Sequence, residues 1–192
     1  MHELTQLFDN PPPGSTIIEP GDITVPSGRL SVCDPFQTCA SPPFKTTVPK
    51  GRFPVQLLLA DMKEFGGRVA LARMIFSTKP ATAWKPAITN WGSNTHMVDS
   101  GLSCFMDYET ANEFCSVLHA YKFDHPKGNY FGDILDNEIK ANKDLWCIHD
   151  PLKDGKHNIF IFYGGLGDGM YESWWGTHNN QPVTLTINFG II

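Results

Sequence analysis

Most of the short motifs that announce a function are missing from this 192-residue chain. There is no Cys-x-x-Cys pair, so neither a zinc ribbon nor a thioredoxin-like redox motif is supported. The histidines, His2, His96, His119, His125, His149, His157 and His178, contain no His-x-x-x-His spacing that would set two imidazoles on one helix face for a metal. Ser100 stands in Asp99-Ser100-Gly101 and not in a Gly-x-Ser-x-Gly elbow, which leaves a serine hydrolase poorly supported. The glycines at 164, 165, 167 and 169 lack the Lys-Ser/Thr of a phosphate loop, and their spacing does not match a dinucleotide fingerprint. No stretch concentrates Lys and Arg, and the formal charge of −5 argues against nucleic-acid binding. No apolar run approaches the length that spans a bilayer, and the first residues carry neither a basic n-region nor an apolar h-region. Cys33, Cys39, Cys104, Cys115 and Cys147 form an odd set without regular spacing. The expectation is a reduced, cytoplasmic protein that needs no cofactor and no metal, with no membrane or nucleic-acid partner.

What the chain does have is aromatic rings and turn formers: 13 Phe, 5 Trp and 5 Tyr among 17 Gly and 15 Pro. That mixture favours a β-rich fold with many turns over a helical bundle. Residues 1–27 read as an extended proline-rich arm, because Pro11, Pro12 and Pro13 forbid a helix there, and residues 28–192 read as a single domain. Runs of β-branched and aromatic residues bounded by Gly or Pro predict strands at 28–33, 53–60, 68–76, 146–149, 159–163 and 183–189, with weaker ones at 83–88 and 96–98. The connector at 64–67 suits an antiparallel hairpin between the second and third of these. In the middle, Ala111, Phe114, Cys115 and Leu118 fall at helical spacing, with Asp107 as N-cap and Glu109 in the first turn. A second helix is expected over 133–142, with Ile134, Leu135 and Ile139 inward. Strands, then helices, then strands describe an α+β fold with a mainly antiparallel sheet, either curled or a sandwich, and one or two helices inserted mid-chain.

The candidate chemistry sits on turns. Asp34, Asp99, Asp107 and Asp168 each stand at a junction between expected elements. Aspartates meeting in space could hold a divalent cation or act as an acid/base pair. Each also has a local role: Asp34 before Pro35 suits an Asx turn, Asp107 a cap, Asp99 and Asp168 turns. Residues 158–176 are the most informative stretch. An apolar strand runs into Gly164, Gly165, Gly167, Asp168 and Gly169, followed by Tyr171, Trp174 and Trp175. Bare backbone beside large rings suits a binding surface, and Asp168-Gly169 between apolar runs equally suits a tight hairpin.

Several of these pieces together resemble the largely bacterial family catalogued as domain of unknown function 4241. They are Gly28-Arg-Leu-Ser-Val-Cys-Asp-Pro-Phe36, Val48-Pro-Lys-Gly-Arg-Phe-Pro-Val55, Arg68-Val-Ala-Leu-Ala72, Trp84, Val98-Asp-Ser-Gly101, Phe105-Met-Asp107 and Gly167-Asp-Gly-Met-Tyr171. The resemblance covers most of residues 28–189 in order, and it leaves the proline-rich arm and the Trp174-Trp175 pair unplaced. It implies a small soluble domain and, from the company of toxin genes, an immunity protein.

Two functions follow as expectations. The first is a non-enzymatic binding protein, an immunity protein that neutralises a bacterial toxin. Its surface would be formed by Asp34, Asp99, Ser100, Gly167, Asp168, Gly169, Tyr171 and Trp174. The alternative is a hydrolase-type enzyme working through the turn aspartates, with or without a divalent metal. No catalytic residue is assigned, and whether the protein is an enzyme stays open at this point.

Overall fold

Leu57 and Leu58 are neighbours in sequence and both are fully buried, yet they belong to different cores. Successive side chains of a strand point to opposite faces, so the sheet that carries them must be covered on both sides. The computed structural model describes residues 3–62 and 66–192. Leu57 and Leu58 lie in β3 (Gly51–Asp61), and β4 (Gly67–Ile75) repeats the pattern with Ala72 and Leu71. These strands belong to a seven-stranded antiparallel sheet ordered β1–β3–β4–β11–β10–β5, where β1 is Thr16–Val25, β5 is Ala83–Pro86, β10 is Gly169–His178 and β11 is Gln181–Asn188. The seventh strand, β6 (Thr95–Val98), pairs with the first half of β10 while β5 pairs with its second half.

A second sheet of four antiparallel strands, ordered β2–β7–β9–β8, packs on the first. Its strands are β2 (Leu30–Cys33), β7 (Leu102–Asp107), β8 (Trp146–His149) and β9 (Ile159–Tyr163). All six residues of β7 are buried, the mark of a strand covered on both faces. Phe105, Phe160 and Phe162 face the large sheet, where they meet Val55, Ala72, Trp175 and Leu185. Leu102, Cys104, Met106 and Ile161 face α2 (Tyr108–Asp124) and α3 (Asp136–Lys140), which follows a π-helical turn at Phe131–Leu135. On the far side, Leu4 and Phe8 of α1 (Glu3–Asp9) cover Leu58 and Leu71. The layers run α1, large sheet, small sheet, α2 with α3. The fold is α+β and mainly antiparallel, with its two sheets stacked as a sandwich.

The strands expected at 53–60, 68–76, 146–149 and 159–163 are present, as is the antiparallel pairing of the first two. Of the 64–67 connector, Glu64 and Phe65 lie outside the described residues. Asp107 caps α2 as expected: its Oδ1 accepts the Glu109 N–H at 2.8 Å, and Oδ2 accepts the Ser27 N–H at 3.0 Å. Two local features differ from the sequence reading. The proline-rich stretch is not an arm hanging from the domain, since β1 pairs along β3 and buries Ile23 and Val25 completely. Pro20, which cannot donate to a ladder, is accommodated because β1 is an edge strand whose register shifts between Ile18 and Gly21. The hairpin suggested at Asp168-Gly169 is not there. It sits at Asn179-Asn180 between β10 and β11, where both residues take the positive φ values that a two-residue turn demands.

Candidate functional site

Asp168 lies between strands of different sheets: β9 belongs to the small sheet and β10 to the large one. The Asp99-Ser100-Gly101 turn makes the same passage between β6 and β7. These two crossings lie against each other, because Val98 at the end of β6 pairs with Gly169 and Leu102 at the start of β7 pairs with Tyr163. Backbone groups that leave one ladder before joining another lack partners and must find them locally. Asp168 Oδ1 accepts the Gly101 N–H at 3.0 Å, and the Gly164 N–H donates to the Gly101 carbonyl at 3.3 Å. From the end of β2, Asp34 Oδ2 accepts the N–H groups of Asp99 (3.0 Å) and Ser100 (2.8 Å), while its Oδ1 accepts the Phe36 N–H at 2.9 Å. Asp34 is 1% exposed. Its carboxylate takes three backbone donors, so it closes an Asx turn and clamps the neighbouring crossing together.

Asp34, Asp99, Ser100, Gly167, Asp168, Gly169 and Tyr171 therefore meet at one corner of the sandwich. The Tyr171 hydroxyl donates to the Gly167 carbonyl at 2.8 Å, and its ring packs edge-on to Phe189. Trp174 does not join them. It points to the other face of β10, into the cluster under α1, because it is an odd number of positions from Tyr171 along the strand. Its indole N–H donates to Glu172. Trp175, on the Tyr171 side, is fully buried core.

Below this corner is a cleft of about 660 Å³, within the usual range of ligand sites. Gly101, Gly164, Gly165 and Gly167 form one wall, Gly67, Arg68 and Val69 another, and Lys143, Asp144 and Leu145 the third. Tyr163 and Leu166 stand at its mouth, 37% and 65% exposed. Burial and the carboxylates of Asp136 and Asp144 raise the Tyr163 hydroxyl above its ordinary range. Among the described residues neither Arg68 nor Lys143 is in a salt bridge. Lys143 and Asp144 both hold left-handed backbone, φ 58° and 55°, a conformation that costs a residue with a Cβ roughly 1–2 kcal/mol. Consecutive strained residues lining a cleft are a common feature of functional surfaces. Sequence reading located the glycine wall but missed Arg68, Tyr163, Lys143, Asp144 and Leu166. Leu166 alone had a signal, an apolar residue isolated among glycines.

The closest serine–histidine contact of the corner is buried. His96 Nε2 lies 2.9 Å from Ser103 Oγ, the reach of a nucleophile–base pair, but Ser103 is fully buried and His96 nearly so. Burial pushes the His96 imidazole down to about 4, against the pull of the Asp34 charge and the Tyr171 backbone. A second chain, buried at Tyr130 and His149 and open to solvent at Glu138, links the Tyr130 hydroxyl to His149 Nε2 (2.8 Å) and His149 Nδ1 to Glu138 (3.0 Å), pinning α3 to β8. The expectation of reduced cysteines fails for one pair. Cys39 and Cys115 form a disulfide, because the 3₁₀ segment Pro35–Ala40 lies along α2 and brings their Cα atoms to 5.2 Å. Cys33, Cys104 and Cys147 are free and buried. No helix among the described residues is long and apolar enough to cross a membrane.

Fold and geometry thus define an α+β sandwich whose candidate site is a glycine-walled cleft beside two interlocked sheet-to-sheet crossings. The chain belongs to the family described as protein of unknown function (DUF4241), which it matches over residues 23–187. No curated protein and no solved structure matches it.

Proposed function

We propose that the protein is a non-enzymatic binding protein that receives a segment of a protein partner in the cleft under the 164–167 turn. The observation that carries this reading is the division of labour at the corner. Three of the four turn aspartates are engaged, Asp34 and Asp168 on backbone N–H groups and Asp107 on a helix cap, and the fourth, Asp99, is exposed on its turn. The groups left available line the cleft, and they are contact groups: Tyr163, Leu166, two cations and a carboxylate. An exposed leucine and tyrosine beside bare glycine backbone offer a partner apolar area and main-chain approach, with Arg68, Lys143 and Asp144 as a polar rim. The engaged carboxylates favour binding over the hydrolase alternative.

The partner class we infer is a protein toxin, in which case this chain acts as a cytoplasmic immunity protein. The test is co-expression with a toxin-like reading frame encoded beside it, scored by growth. Protection by the parent chain and its loss in Leu166→Asp and Tyr163→Ala, both folded by circular dichroism, is the expected result. An aromatic or apolar anchor of this kind carries about 2 kcal/mol, roughly thirtyfold in affinity. If both variants protect as well as the parent, the cleft is not the binding surface.

A further inference from the structure

Five cysteines divide into two kinds. Cys33, Cys104 and Cys147 are buried, and burial pushes the Cys104 thiol well up and the Cys147 thiol up to about 12, so neither offers a thiolate at neutral pH. Cys39 and Cys115 lie at the surface, the first exposed and the second half-buried, and they are joined as a disulfide. A cross-link alone would need only the two sulfurs. Here a third group accompanies them. His119 follows Cys115 by one turn of α2, a spacing that sets both side chains on the same helix face. Its Nδ1 is 4.0 Å from the Cys115 sulfur and its Nε2 4.0 Å from the Cys39 sulfur. The three donor atoms all lie within 4.8 Å of one another.

Ligands held at about 2.0–2.3 Å from a tetrahedral ion stand roughly 3.3–3.8 Å apart. The cluster is close to that spacing already, and opening the sulfur–sulfur bond gives the two sulfurs the freedom to separate to it. Two thiolates and an imidazole are the soft donor set that selects zinc over magnesium or calcium. With three protein ligands at an exposed site, the fourth position is open to water.

We propose that Cys39, Cys115 and His119 form a redox-gated site for zinc: a disulfide when oxidised, a two-thiolate, one-imidazole metal site when reduced. A dithiol reductant transfers two electrons to the Cys39–Cys115 bond, becomes a disulfide itself and leaves two protein thiols. Zinc binding then displaces one proton from each thiol and occupies the space between the sulfurs and the imidazole. The two states exclude each other, since the thiolates that ligate zinc exist only once the sulfur–sulfur bond has been reduced. Because Cys39 sits on the segment that begins at the Asp34 cap, the state of this site bears on the neighbouring clamp through the anchorage of Pro35–Ala40 to α2. The assignment is independent of the binding function proposed above.

The experiment uses the full chain, prepared oxidised and separately reduced with a phosphine under argon, then titrated with zinc against a chromophoric chelator. The reduced protein is expected to hold a single zinc ion and the oxidised protein none. Cobalt(II) in place of zinc should show the intense near-ultraviolet band of thiolate-to-metal charge transfer. Cys39→Ser should abolish retention, and His119→Ala should weaken it about tenfold or more while circular dichroism is unchanged. Equal binding by oxidised and reduced protein overturns the proposal, as does a reduced protein that retains no zinc. So does a folded His119→Ala variant with parental affinity. The comparison of oxidised and reduced parent protein stands even if a cysteine variant fails to fold.

Discussion

Asp34 and Asp168, 134 positions apart, hold one three-residue turn from two sides: Asp34 takes the N–H groups of residues 99 and 100, and Asp168 takes that of residue 101. Between them they satisfy every N–H of the turn that carries the chain from the large sheet to the small one. The difference between them is burial, and it separates their roles.

Replacing Asp34 with Ala leaves three N–H groups to find new partners in a buried corner. We expect a loss of about 3 kcal/mol, since buried donors left unsatisfied cost about 1–3 kcal/mol each and some here will reach water. Asp168 is exposed and makes one such bond, so Asp168→Ala should cost only about 1 kcal/mol. Urea unfolding of the two variants beside the parent measures both. Equal losses would show that the two residues are not distinguished by burial.

Gly164→Ala places a Cβ 2.3 Å from the Phe189 ring, a collision that forces the ring or the crossing to move. The expected cost is about 1–3 kcal/mol, typical of overpacking. Phe189→Leu in the same chain should recover part of it, and the double-mutant cycle reads that coupling directly. Additive losses would mean that the ring is not the obstacle.

His96 gives stability a pH dependence with a definite sign. Its imidazole sits at about 4 in the folded protein and near its ordinary 6.5 once unfolded. As pH falls through that window the unfolded chain binds a proton that the native one does not. The contribution is whole above pH 6.5 and is lost progressively towards pH 4, by roughly 3 kcal/mol. The urea midpoint should therefore fall more steeply between about pH 7 and 4.5 in the parent than in His96→Gln. Parallel profiles would show that His96 is not the group responsible.

Asp107→Ala removes the cap of α2 and the partner of both the Ser27 N–H and its hydroxyl. A loss of about 2 kcal/mol, the upper end for caps, is expected in the same denaturation assay. A loss in partner binding without a loss in stability would place Asp107 in a binding surface and not in a cap.

The elements that sequence alone disclosed are those whose signal is local. Residues 53–60 and 159–163 show their strands through β-branched and aromatic runs, and Asp107 with the Ala111, Phe114, Cys115 and Leu118 stripe shows a capped helix. β7 was hidden because Ser103 and Asp107 flank apolar residues buried on both faces, so no alternation marks it. The sequence reading took Cys115 only as part of an apolar stripe, and its place one helical turn before His119 went unused. What was not legible was Cys39, brought to it across a separation of 76 residues.

By itself the sequence determined the α+β class, the antiparallel strands, the helix caps and the presence of aspartates and glycines at turns, all set by backbone preferences within a few residues. The tertiary structure decided what those turns do. Which sheet a strand joins depends on which faces must be covered, and that is a property of the whole chain's burial. Only once β6 and β10 were placed in one sheet, and β7 and β9 in the other, did Asp34 and Asp168 become clamps on a shared crossing. The same placement opened the cleft between the glycine wall, Arg68 and Lys143, where side chains distant in sequence meet because two layers end at a common corner.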